Sequence, residues 1–214
     1  MRLCRVVALV LVGWYLMTPN FSLAASAQSK LLTYTNEAYG VSFQYPSDWT
    51  LTEGDQVKLS WGYLGPVEDW LPHGVKVAAV EMPSDPYRGT DFGLAFLKVS
   101  VDTTLSLLEC HRSAFRDWKE VKPKEYPTVW VGENQFSEED EDDAGMSHQR
   151  TAQYYHIFRN QACYEFELGL STNGYGAVEG LKRVSDDDVF GKLTAILATV
   201  MIRQPTASSP LRGN

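Results

Sequence analysis

The histidines and an acidic run are the groups in this chain whose types could bind a metal. The run EEDEDD, residues 138–143, offers the carboxylate oxygens that Ca²⁺ prefers. Aligned as an EF-hand loop, however, it places Ala144 and Thr151 where oxygen ligands, including a bidentate Glu, are needed. No HExxH or other close ligand spacing connects the histidines, which are His73, His111, His148 and His156. We therefore expect no metal site and predict that the acidic run is the solvated tip of a hairpin.

The motifs of enzyme catalysis are equally weak. His111 follows Cys110 and outlines a Cys–His pair, but adjacent residues on a helix do not face each other. No Gly-x-Ser-x-Gly elbow is present, and the glycines of 174–180 have the wrong spacing for a dinucleotide loop. Distant carboxylates of a glycosidase type would meet only in the fold. The sequence thus predicts no catalytic residue and no cofactor, and a hydrolase with an unrecognised site is the least favoured alternative.

An aromatic loop is the first candidate for binding. The stretch GYLGPVEDWLPHG, residues 62–74, is broken by Gly and Pro and predicts a loop. Trp and Tyr combine apolar area with a polar tip and are frequent in binding surfaces. We therefore assign partner or ligand binding to four residues of this region: Trp61, Tyr63, Trp70 and His73. In the alternative interpretation, these rings fold back and plug the end of the core.

The N-terminal residues have the features of a secretion signal. Arg2 and Arg5 precede an apolar stretch at 6–17, which is shorter than a membrane span, and Ala25-Ser26-Ala27 fits a cleavage site. We predict cleavage after Ala27 and export to the periplasm or the outside medium; an uncleaved N-terminal anchor is the alternative. Loss of Arg2 and Arg5 takes the formal net charge from −8 to −10. An acidic chain without a basic cluster is poorly suited to bind nucleic acid or anionic lipid.

Cysteine usage agrees with export. Cys4 lies in the predicted signal, which leaves Cys110 and Cys163. Two cysteines in an oxidising compartment usually pair, and no CxxC or Cys/His spacing indicates a metal site. We predict a Cys110–Cys163 disulfide, with two buried thiols as the alternative.

Hydrophobic patterning predicts a single α+β domain over 34–203, between a tether at 28–33 and a disordered tail at 204–214. A capping-box spacing of Ser106 and Glu109 predicts a short helix, and Ser185 or Asp186 begins a second one. The predicted strands are 41–45, 57–61, 75–81, 92–101, a hairpin within 128–136, 153–159, 163–170 and 199–202.

Two segments resemble PsbP-like domains. The opening strand, with Tyr34, Gly40-Val41-Ser42-Phe43, Tyr45-Pro46 and Trp49, resembles the start of these domains, and Phe190 to Val200 resembles their closing helix and strand. The resemblance implies the Mog1/PsbP-like fold, an α/β/α sandwich with a central antiparallel sheet flanked by helices. The family includes extrinsic subunits of photosystem II, a binding partner of a small GTPase and many exported bacterial proteins, and its shared residues are not catalytic.

The resemblance therefore favours an exported, non-catalytic binding or assembly module. Its expected partner is another envelope or extracellular protein. The main alternative is a carrier of a small apolar ligand in a pocket beneath the aromatic loop.

Overall fold

The computed structural model describes residues 29–113 and 127–206 of the 214-residue chain. Within these ranges, two antiparallel sheets and two α-helices form one α+β unit. The elements are β1 (Leu31–Asn36), β2 (Val41–Pro46), β3 (Thr50–Glu53), β4 (Val75–Glu81), β5 (Phe92–Asp102), α1 (Leu107–Ser113), β6 (Thr128–Val131), β7 (Asn134–Gly145), β8 (His148–Arg159), β9 (Ala162–Asn173), α2 (Asp186–Leu197) and β10 (Met201–Ile202). The predicted α+β class, with a central antiparallel sheet and flanking helices, is confirmed.

A seven-stranded sheet in the order β3-β4-β5-β9-β8-β7-β6 is the centre of the molecule, and β1-β2-β10 form a smaller sheet. Side chains alternate across β9, as the pleat of a strand requires. Tyr164 and Phe166 join the main core with Leu193 of α2 and Phe43 of the small sheet. Cys163 instead lies in a separate cluster with Cys110 of α1. Helix α2 and the small sheet thus cover one face of the large sheet, and α1 lies on the other.

Both helices begin where the sequence predicts. The backbone N–H of Ser106 donates to Glu109 Oε2 at 2.8 Å, and the N–H of Glu109 donates to Ser106 Oγ at 3.3 Å, which completes the capping box of α1. At α2, Ser185 Oγ accepts from the N–H of Asp188 at 3.3 Å. The buried stripe of α2 faces the large sheet and consists of Val189, Leu193, Ile196 and Leu197.

Two predictions about local structure are wrong. Residues 57–61 form no strand, because Gly62 and Gly65 adopt positive φ values of 68° and 98° and turn the chain back after a single bridge. The acidic run at 138–143 lies within β7 and pairs with β8, whereas the hairpin turns at Met146 and Ser147. Partners on β8 allow the acidic run to lie within a strand.

Two of these partners are visible in the register of β7 and β8. Thr151 Oγ1 donates to Asp142 at 2.6 Å, and Arg150 lies 3.5 Å from both Glu141 and Asp143. Glu141, Asp142 and Asp143 therefore have partners on the neighbouring strand, and the run belongs to a paired strand and not to the turn.

The boundaries of the domain differ slightly from the prediction. Strand β1 begins at Leu31, inside the predicted tether at 28–33, because Leu31 and Leu32 pair with Pro46 and Tyr45. The predicted signal peptide at 1–27 lies outside the described residues. Of the predicted disordered tail at 204–214, residues 207–214 also lie outside the described residues, and Thr206 Oγ1 donates to Glu37 Oε2.

A disulfide joins Cys110 of α1 to Cys163 of β9, and both residues are fully buried. The two Cα atoms lie 5.4 Å apart, within the usual range for a bridge. Since the two cysteines are 53 positions apart in the sequence, the bridge closes a long loop. It fastens α1 to the face of the large sheet opposite α2.

Replacing both cysteines, as Cys110→Ala with Cys163→Ala, is expected to lower the free energy of unfolding by about 4 kcal/mol, since the unfolded chain regains the entropy of the open loop. Urea unfolding of the oxidised protein and of the double variant measures this difference. Reduction of the wild-type disulfide is the matched control and should produce a similar loss. An unchanged urea midpoint in both cases would show that the bridge does not restrain the unfolded chain.

Candidate functional site

The aromatic segment packs against the large sheet. We call residues 57–73 the cover segment, because they lie over the face opposite α2. The indole of Trp61 is 3% exposed and its ring centroid lies 5.1 Å from that of Phe96 in β5. Trp70 is half-buried and stacks on Tyr154 of β8 with centroids 4.0 Å apart. These two indoles therefore seal the sheet and present little surface to a partner.

A glycine of the central strand makes this packing possible. Gly169 in β9 lies directly beneath the rings of Trp61 and Phe96. A Cβ atom at this position would stand 2.5 Å from Trp61 Cη2 and 2.4 Å from Phe96 Cζ. Real side chains do not approach so closely, so the absence of a side chain at Gly169 lets the indole lie against the strand.

The other two residues of the predicted binding loop are exposed. The side chain of Tyr63 is 73% exposed, and its ring stacks on that of His148 with centroids 5.1 Å apart. His73 is exposed, and its backbone N–H donates to Asp102 at 3.0 Å. The structure thus divides the four predicted residues into two that face solvent and two that pack inward.

A buried ionic cluster lies beneath the cover segment. Lys98 of β5 and Glu167 of β9 are direct partners in the sheet, and their side chains are 1% and 0% exposed. Lys98 Nζ lies 2.6 Å from Glu167 Oε2. The same ammonium donates to the carbonyl oxygen of Glu68 at 2.9 Å and lies 3.3 Å from Asp69. Lys98 therefore ties the sheet to the cover segment.

A second pair continues the cluster along the sheet. His156 of β8 and Glu165 of β9 are cross-strand partners, both fully buried, with a hydrogen bond of 3.0 Å between Nε2 and Oε2. Beyond them, His111 of α1 hydrogen-bonds to the buried Ser137. Among the described residues, His156 Nδ1, Glu165 Oε1 and Glu167 Oε1 have no hydrogen-bond partner. Burying polar atoms without a hydrogen-bond partner costs free energy, so this cluster lowers the stability of the fold relative to a fully paired one.

Burial also shifts the protonation of the cluster. Desolvation raises the pKa of Glu167 to about 7, and the neighbouring Glu165 adds to this rise while Lys98 opposes it. For Lys98, desolvation lowers the pKa, but the two glutamates outweigh it and the pKa is raised. Lys98 therefore stays charged, and Glu167 holds a proton over part of the neutral range.

Sequence reasoning missed this cluster for a specific reason. Glu165 and Glu167 alternate with Tyr164 and Phe166, and such a pattern is typical of a strand with one face in water. The face is instead covered by the segment 57–73. The one available signal was Lys98, a cation inside the apolar run FGLAFLKVSV.

An apolar groove lies on the other side of the large sheet, between α2, the end of β2 and residues 82–87. Its cavity volume is about 360 Å³, within the range of small-molecule sites. Its principal lining residues are Pro46, Trp49, Met82, Pro86, Tyr87 and Ile196. At the rim, Lys192 donates to Asp188 at 2.7 Å and to the Tyr87 hydroxyl at 2.8 Å. The groove thus has an apolar floor and a polar edge.

Within residues 29–113 and 127–206, no group of three His, Cys, Asp or Glu side chains is arranged to hold a metal ion. In the same ranges, no helix has the length and apolar character needed to cross a bilayer.

No protein-family model matches the chain, and no curated protein matches it. Solved structures with a similar fold include the following two. A crystal structure of a protein from Bacteroides thetaiotaomicron shares 13% identity over 83% of this chain, with a TM-score of 0.45, and the chain spans half the length of that protein. The solution structure of cyanobacterial PsbP from Synechocystis shares 11% identity over 87% of this chain and all of that protein, with a TM-score of 0.36. The second protein is a PsbP, and PsbP-like domains are the ones that two segments of this sequence resemble. Neither similarity assigns a function.

Replacing Trp61 with Ala is expected to lower the free energy of unfolding by about 3–5 kcal/mol, because it empties a buried site against Phe96. The matched control is Tyr63→Ala in the same segment, which removes an exposed ring and should cost less than about 1 kcal/mol. Urea unfolding of the two variants measures the difference. Equal, small losses would show that the Trp61 indole is not packed on the sheet.

Proposed function

We propose that this chain is an exported, non-catalytic binding module whose contact surface is the apolar groove beside α2. The groove is the observation that supports the proposal. Its floor combines Trp49 and Tyr87 with Pro46 and Pro86, all rigid side chains that lose little conformational entropy when they are covered. A concave apolar floor with a polar rim is the usual composition of a binding site.

The rim favours a partner that is not strongly charged. Lys192 also lies 5.0 Å from the centroid of the Tyr87 ring, in addition to its bond to Asp188. Its positive charge is therefore neutralised locally. An uncharged apolar side chain or ligand segment can then cover the floor of the groove without burying an unpaired charge, which would be costly.

The partner is expected outside the cytoplasm. The Cys110–Cys163 bridge is of the kind that persists in oxidising compartments. The leader pattern of the sequence supports the same compartment. We accordingly propose an envelope or extracellular protein as the partner, in the periplasm or the medium.

A carrier of a small apolar ligand is the second candidate. The volume of about 360 Å³ favours it, because this space suits a small molecule as well as one or two side chains of a protein. Native mass spectrometry of protein purified from its own host distinguishes the two. Additional mass that disappears on denaturation supports the carrier, and a bare chain mass supports the module that binds protein.

Ala195→Arg is expected to abolish binding in the groove. Ala195 is an exposed groove residue of α2, so the larger side chain enters the groove without disturbing the buried stripe. A tagged protein is crosslinked in its host and captured with its partner. We expect at least a tenfold loss of the partner from the variant, at an unchanged urea midpoint.

The matched control for this experiment is Ala177→Arg. Ala177 is exposed and is not among the residues of the groove, so the same chemical change should leave capture intact. Tyr63→Ala in the same assay tests the aromatic segment separately. If capture survives Ala195→Arg, the groove is not the contact surface; if it fails only with Tyr63→Ala, the aromatic segment is the contact surface.

A further inference from the structure

Charged groups attach the cover segment to the large sheet, in addition to the apolar packing of Val57, Trp61 and Val67. Lys98 Nζ reaches both the Glu68 carbonyl and the Asp69 carboxylate of this segment. Asp69 also pairs with Lys76 of β4 at 3.4 Å. Polar attachments of this kind respond to protonation, whereas the packing of Trp61 on Phe96 does not.

Two buried carboxylates lie close to one lysine under the cover. Glu165 and Glu167 are both fully buried, and Lys98 is a single positive charge that both of them face. Other titratable or charged groups lie on the same face of the sheet or pack against it: Lys76 of β4, Asp102 of β5, Glu139 and Glu141 of β7, Arg150, Tyr154 and His156 of β8, His111 of α1 and Asp69 of the cover. Carboxylates predominate close to Lys98, so a second buried negative charge is unfavourable.

We propose that residues 57–73 are a proton-locked cover: closed, they retain one proton on Glu167, and loss of that proton opens them and exposes the undersides of Trp61 and Trp70. The unpaired Glu165 Oε1 and Glu167 Oε1 atoms are the positions that lack compensation when both carboxylates are charged. Opening supplies water to them. It also uncovers the aromatic surface that the sequence marks for binding.

The direction of the pH dependence follows from linkage. In the closed state the pKa of Glu167 is raised to about 7 by burial, whereas water in the open state restores its ordinary value of 4.5. The closed state therefore binds the proton more tightly and is favoured at low pH. Between these two values the opening constant should rise by about tenfold per pH unit, and it should level off above pH 7.

Hydrogen–deuterium exchange of the full-length mature, disulfide-bonded protein tests the proposal. Peptides from 57–73 are followed between pH 5 and 8, with rates corrected for the intrinsic pH dependence of amide exchange. We expect protection of this segment to fall by at least tenfold across the range, whereas peptides from α2 and β4 keep constant protection. The wild-type profile is decisive by itself: a pH-independent protection of 57–73, or a parallel loss in α2, overturns the proposal.

Glu167→Gln identifies the group that holds the proton. The amide keeps the volume of the side chain and stays neutral, so protection of 57–73 should become independent of pH and remain high at pH 8. Glu179→Gln, at an exposed loop position, is the matched control and should retain the wild-type profile. If the Glu167→Gln variant retains the wild-type pH dependence, Glu167 does not hold the locking proton and the proposal fails.

Discussion

Strand β9 is buried on both faces, and the arrangement of the rest of the molecule depends on how each face is satisfied. On one face Tyr164, Phe166 and Leu168 require apolar neighbours, which α2 and the small sheet supply. On the other face Glu165 and Glu167 require cations and hydrogen-bond donors, which come from Lys98 and His156 on the flanking strands. A central strand with carboxylates on one face can stay buried only while these partners are in place, because removing one partner of a buried ion pair costs about 3–5 kcal/mol.

The two faces consequently differ in how they respond to their surroundings. The face with α2 is held by apolar contact, which is insensitive to pH, and it carries the open groove. The opposite face combines aromatic packing with a charge cluster and is closed by a segment that forms no strand of the sheet. The α2 face is therefore suited to a binding surface of fixed shape. The opposite face is suited to a surface whose exposure changes with pH.

Local signals in the sequence were sufficient for much of the fold. The apolar run of β5, the capping box at Ser106 and the N-cap Ser185 lie where short-range physical chemistry requires, and the structure has these elements. The groove and the ionic cluster depend instead on contacts between distant segments. Whether Glu167 faces water is decided by the placement of a segment about a hundred residues earlier in the chain, which no pattern within β9 reveals.

The placement of the disulfide also has a mechanical consequence. Cys110 and Cys163 enclose β6, β7 and β8, so a pulling force applied to the two ends of the chain passes through the S–S bond and bypasses these strands. The cysteines are 53 positions apart, so about 190 Å of extended chain is thereby withheld from extension. Under such tension, the part of the sheet formed by β6, β7 and β8 would keep its register after β1, β2 and α2 had been drawn away.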